Sequence, residues 1–120
     1  MKQYKIINAY QILEKLSENE NLTDFDQWEI YKLRKFLRPN FDFQSEREDS
    51  IRQKFKDDID EQGNIHGEKA AAFLKDMQEL SNMDIEIEER TKPQIKLVKG
   101  ITCKIIEPLE DFIEFTEPAE

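Results

Sequence analysis

Residues 70 to 88 read Ala70-Ala71-Ala72-Phe73-Leu74-Lys75-Asp76-Met77-Gln78-Glu79-Leu80-Ser81-Asn82-Met83-Asp84-Ile85-Glu86-Ile87-Glu88, and the apolar period changes in their middle. Up to Leu80, the positions Ala70, Phe73, Leu74, Met77 and Leu80 recur three and four apart, the face of an amphipathic helix. Past Asn82 the period drops to two. Ile85 and Ile87 alternate with Asp84, Glu86 and Glu88, as in a strand with one wet face. Ser81 and Asn82 form the junction, where Asn tolerates the left-handed backbone of a helix end. A helix handing over to a strand, with more helical pattern before it, places the chain in the helix-rich α+β class.

Outward from this stretch toward the end of the chain, Ile95 and Leu97 alternate with Gln94 and Lys96. Residues 85–87 and 95–97 are therefore expected to pair as an antiparallel hairpin across Arg90-Thr91-Lys92-Pro93. Residues 101–113 carry two patterns. Ile101 to Ile106 fits a third strand, whereas Ile105, Ile106, Leu109, Phe112 and Ile113 lie at helical spacings, with Thr102 as cap and Pro108 at a break. The helix is the reading adopted. Residues 116–120 are expected to fray, which leaves one domain over residues 1–115.

Toward the start of the chain, Glu61-Gln62-Gly63-Asn64 reads as a turn and Gly67 as the opening of the next helix. Ile51, Phe55 and Ile59 mark a helix over residues 41–60, polar in its first half. Folded back around Gly63, the two helices form an antiparallel pair that brings Phe55, Phe73 and Met77 into one core, with Phe73 its most sensitive member. Phe25, Trp28, Tyr31, Leu33, Phe36 and Leu37 fill an earlier helix, capped by Asp24 with Gln27 three residues on, or by Thr23. Pro39 is expected to stop or kink that helix. Asn8 with Gln11 reads as a capping box, and Ile7 with Ile12 as the staple around it. Ala9, Leu13 and Leu16 form the apolar face of the helix that follows. Tyr4 and Ile6 would add an edge strand before it. The expected architecture is thus about four helices against a small antiparallel sheet.

Composition limits the chemistry. The 120 residues hold 27 acids against 18 Lys and Arg, for a net charge of −9, with one His, one Cys and three Gly. Such a chain carries no electrostatic footprint for nucleic acid or anionic lipid. A lone Cys103 forms no internal disulfide. No apolar run exceeds Ala70 to Leu74, too short for a membrane span. The start lacks the apolar stretch of a secretory signal, so a cytoplasmic location is expected.

Several constellations invite chemistry. Asp58 to Lys69 approaches an EF-hand loop, with Asp58, Asp60 and Gln62 at the first ligand positions, Gly63 at the turn and Ile65 at the apolar position. The twelfth position, which supplies two oxygens to the ion, is Lys69, and Glu68 is one residue out of register. The loop is therefore read as a helix–turn–helix joint without metal. Glu46, Asp49, Asp57, Asp60 and Glu61 share the helix expected over 41–60, and spacings of three and four would put pairs on one face. Helical nucleotide pyrophosphohydrolases hold Mg²⁺ with such pairs, but they need a second acidic helix and phosphate-binding cations. These acids are read as solvated surface. His66 has no nucleophile placed with it in a recognisable motif. Cys103 is expected to be a small buried hydrophobe. Trp28, Tyr31 and Phe36, at helical spacing, are read as core, with an exposed interface cluster as the alternative.

Three stretches together resemble a family of short proteins of unassigned function encoded by bacteriophages and prophages. They are Ile6-Ile7-Asn8-Ala9-Tyr10 with Leu13 and Leu16, the turn Asp60-Glu61-Gln62-Gly63-Asn64-Ile65, and Ile105-Ile106-Glu107-Pro108-Leu109-Glu110-Asp111-Phe112-Ile113. The family's end more often reads Leu-Glu-Pro-Phe-Ile, and here Asp111 stands at the proline position. The resemblance implies a phage or prophage origin and an α+β fold, and it carries no catalytic residues. The expected role is non-enzymatic protein–protein interaction or assembly, with a protein partner, no cofactor, no metal, no nucleic acid and no membrane. The alternatives are an acidic decoy that inhibits a basic, nucleic-acid-binding host protein, and a metal-dependent nucleotide pyrophosphohydrolase.

Overall fold

Thr23 decides where the longest element begins. Its hydroxyl oxygen accepts from the Asp26 backbone N–H at 3.1 Å, and Asp24 and Asp26 place negative charge in the first turn. Thr23 rather than Asp24 is therefore the cap. In the computed structural model, which describes residues 1–118, this helix runs unbroken from Asp24 to Lys54 as α2. It follows α1 (Gln3–Leu16) and precedes a single 3-10 turn (Lys56–Asp58), α3 (Glu68–Ser81), β1 (Gln94–Lys96), α4 (Cys103–Leu109) and β2 (Glu114–Thr116). The fold is helix-rich α+β.

Pro39 lies inside α2 and does not end it. The helices expected on either side of it are one. A proline in a helix interior costs about 3 kcal/mol relative to Ala, and it leaves the Lys35 carbonyl without its usual donor. Burial outweighs that cost. Ile30, Leu33 and Leu37 before Pro39, and Ile51 after it, are buried, and each buried aliphatic side chain contributes roughly 1.5–3 kcal/mol. Phe41 also packs on the main core, its ring 4.7 Å from that of Tyr10.

Two apolar clusters therefore share one helix. The main one gathers Ile6, Ala9, Tyr10, Leu13 and Leu16 of α1, Ile30, Leu33 and Leu37 of α2, and Ile95, Leu109, Phe112 and Ile113. The second holds Ile51, Phe55 and Leu80, with Ile65, Phe73 and Met77 packed against it. The molecule is long as a result, 58 × 30 × 20 Å with a radius of gyration of 17.8 Å. A compact domain of this length would have about 14 Å.

The start of the chain differs from its sequence reading. Tyr4 to Ile6 is helix, not an edge strand, and Asn8 lies exposed within α1 rather than capping it. Ile7 and Ile12, mid-helix, form no staple. The helix starts earlier because tertiary partners fix its first residue and the two before it. The Gln3 N–H donates to the Met83 carbonyl at 2.9 Å, and the Ile85 N–H to the Met1 carbonyl at 2.8 Å. Lys2 and Asp84 form an antiparallel bridge there. Gln3 is fully buried, and its Nε2 donates to the Asn40 carbonyl at 3.0 Å. That bond fastens α1 to α2 one residue past Pro39.

The antiparallel hairpin is also corrected. Ile85 pairs with the start of the chain, while β1 and β2 pair in parallel, with Ile95 opposite Phe115. Glu88-Glu89-Arg90-Thr91-Lys92 contains no Gly or Asn to supply a tight hairpin turn. The segment containing α4 makes the crossover that parallel strands require. Residues 101–113 are thus part helix, closing at Leu109 with Pro108 in the last turn. Thr116, expected to be frayed, is paired with Lys96. Residues 119–120 of the expected tail lie outside the described residues.

The helix pair around Gly63 is as expected. The Phe55 and Phe73 rings meet edge to face at 5.6 Å, and Lys54 Nζ lies 2.9 Å from Asp76 Oδ2. Phe55 is buried, however, while Phe73 is only partly so, which makes Phe55 the centre of this cluster.

Two outcomes follow from this packing. Phe55→Ala should cost about 3–5 kcal/mol, read as a lower urea midpoint, with Phe73→Ala costing less and the exposed Glu46→Ala almost nothing. Pro39→Ala should stabilise the protein by up to about 3 kcal/mol. An unchanged or lower midpoint would mean that the two clusters need the geometry Pro39 imposes.

Candidate functional site

The chemistry-bearing residues singled out in the sequence do not converge. Asp60 is spent on its own turn. Its Oδ1 accepts from the Gln62 and Asn64 backbone N–H groups, each at 2.9 Å, and its Oδ2 lies 2.8 Å from His66 Nε2. The Asn64 N–H, then the His66 ring, hold the Asp60 carboxyl below its usual value of 3.8, against the opposing effect of desolvation. Gly63, at φ 83°, supplies the left-handed residue that the turn requires. Ile59 and Ile65 bridge across it. Asp58 closes the 3-10 turn, Gln62 is exposed, and Lys69 points to solvent in the first turn of α3.

The five helix acids are also dispersed. α2 ends at Lys54, so Asp57, Asp60 and Glu61 share no helix with Glu46 and Asp49, which corrects the single-helix reading. Asp49 pairs with Arg52 at 3.4 Å. Among the described residues, no group of three or more His, Cys, Asp or Glu side chains is placed to hold a metal ion. Among the described residues, no helix is long and apolar enough to cross a membrane. Cys103 is exposed at the start of α4, not buried.

What does gather is a surface on the first half of α2. Ile30, Leu33 and Leu37 point at α1, so residues about 100° per position away face outward. Phe25 is 67% exposed, Trp28 55% and Tyr31 49%. The core expectation thus fails for Trp28 and Tyr31, while Phe36 does pack partly buried against the main cluster. The Trp28 and Tyr31 rings stack at 5.6 Å, and Lys32 Nζ sits 5.8 Å from the Trp28 ring centre. Tyr31 leads from this patch into a 230 Å³ pocket against α1, lined also by Tyr10, Arg34, Lys35 and Arg38.

The charge of this surface is opposite to that of the chain. From Ile30 to Phe41 there are four cations and no acid. Lys32 is 2.8 Å from Glu29, and Arg38 is 3.9 Å from Asp42. The buried Nε of Arg34 has no hydrogen-bond partner, and neither Arg34 nor Lys35 makes an ion pair among the described residues. A buried donor left without a partner is costly. This arrangement has no nucleophile with a base. It has stacked aromatics beside Arg side chains, the residue types that dominate binding hot spots.

Sequence reasoning reached Trp28 and Tyr31 as the interface alternative but missed Phe25, Lys32, Arg34, Lys35 and Arg38. The signal was present as an acid-free basic run in a chain of net charge −9. Comparison with protein-family models, with curated proteins and with solved structures gave no match.

Asp60 gives this region a pH dependence. Because its folded carboxyl is held below the ordinary value, the unfolded chain takes up the proton first as pH falls. The stability it contributes is complete above 3.8 and is lost as pH drops through the lower folded value. Asp60→Ala should therefore unfold at lower urea than the parent at neutral pH. That gap should close in strong acid, and a gap independent of pH would contradict the assignment.

Proposed function

We propose that this protein is a non-enzymatic interaction or assembly factor, of phage or prophage origin and acting in the host cytoplasm. It docks a protein partner on the aromatic face of the first half of α2. The observation that carries this reading is the exposure of Phe25, Trp28 and Tyr31 at three-residue spacings on α2, with the Trp28 and Tyr31 rings stacked. Scattered exposed apolar residues are ordinary, but contiguous large aromatics rimmed by charge are the mark of a recognition surface. The same patch separates this role from an acidic decoy, which would need rows of carboxylates instead. The sequence's phage resemblance supports the setting, and the dispersal of the carboxylates supports a role without catalysis.

Truncating a hot-spot aromatic costs about 2–4 kcal/mol of binding. In affinity capture from the native host, the Trp28→Ala/Tyr31→Ala double variant should lose the partner. Leu74→Ala, on a separate exposed apolar residue, should keep it, and both variants should unfold at the parent's urea midpoint. Retention of the partner by the double variant would refute the docking face.

A further inference from the structure

We propose that the partner presents an acidic segment with an apolar anchor, and that its carboxylates enter the pocket formed by Tyr10, Tyr31, Arg34, Lys35 and Arg38. This rests on the reading of α2 as the docking face and names the chemistry that face selects. The apolar anchor covers the stacked rings of Trp28 and Tyr31, of which Tyr31 also lines the pocket. The carboxylates supply what the pocket lacks. The partly buried Arg34 and the exposed Lys35 make no ion pair among the described residues. Arg38 is only loosely engaged, 3.9 Å from Asp42. A guanidinium presents a planar set of donors matched to a carboxylate.

Charge also selects among occupants. A second copy docked face to face by a two-fold axis would set the same four cations against each other. A long polyanion such as single-stranded nucleic acid would gain the stacking and the local cations, but it would be repelled by the net charge of −9 on the rest of the chain. A short acidic peptide segment reaches the cationic face without meeting that field along its length.

Trp28 is the single tryptophan of the chain, so its fluorescence reports on this surface alone. The test is selection of a random dodecapeptide display library on the full chain, followed by titration of the dominant peptide. Peptides rich in Asp and Glu with an apolar residue should be recovered. They should shift Trp28 fluorescence and weaken as salt is raised. Reversal of two cations in Lys35→Glu/Arg38→Glu should weaken binding, measured by anisotropy of the labelled peptide, by about tenfold or more. Both residues are exposed, so this variant avoids disturbing the half-buried Arg34. Recovered peptides without acids, or affinity unchanged by the charge reversal, overturn the acidic-partner inference. The docking face survives that result if Trp28→Ala still abolishes binding. Recovery of no peptide dependent on Trp28 overturns both. Oligo-dT binding more tightly than the selected peptide assigns the face to nucleic acid and also overturns the inference.

Discussion

The continuity of α2 through Pro39 is the constraint on which the rest of the molecule depends. A break there would leave two short helices, each serving one apolar cluster, with nothing rigid between the clusters. Instead one helix carries Ile30, Leu33 and Leu37 into the main core and Ile51 and Phe55 into the second. The cost of the proline is that of about one or two buried aliphatic side chains, and more than that number lies on each side once Phe41 and Phe55 are counted. Gln3 reinforces the vulnerable point by donating to the carbonyl of Asn40.

The long helix also shapes the surface. α1 covers one side of the first half of α2, and nothing among the described residues covers Phe25, Trp28 and Tyr31 on the other. Trp28 and Tyr31 therefore remain exposed although their spacing would suit a core. The cations of residues 32–38 are held in register with them by the same helical phase, so an aromatic patch and a basic pocket become one continuous face. The second cluster contributes length and a firm elbow at Asp60. There the Asp60 carboxylate is engaged within the turn by the Gln62 and Asn64 N–H groups and by His66.

Much of this was legible in the sequence. The apolar face of α1, the packing of Phe73, Met77 and Leu80 of α3, the turn at Gly63, the meeting of Phe55 with Phe73 and the helical character of residues 103–109 all follow from local periodicity and turn chemistry, whereas Leu74, read onto the same face of α3, is exposed. The site was legible only in part. Trp28 and Tyr31 stood out by type and spacing, yet spacing alone cannot say whether a second layer will cover them. The basic run beside them was visible as composition, but the whole-chain net charge concealed it.

The sequence by itself determined the helix-rich α+β class, the absence of an internal disulfide and the start of α2 at Thr23 or Asp24, because these depend on residue identity and neighbours close in the chain; the structure chose Thr23 as the cap. The tertiary structure alone decided that α1 begins at Gln3, that α2 survives Pro39, that β1 pairs in parallel with β2, and that Trp28 and Tyr31 face water. Each of these depends on a partner far along the chain: Met83 for Gln3, the two clusters for Pro39, Phe115 for Ile95. Local pattern specifies what a segment prefers, while burial and hydrogen bonding to distant groups decide which preference is overruled.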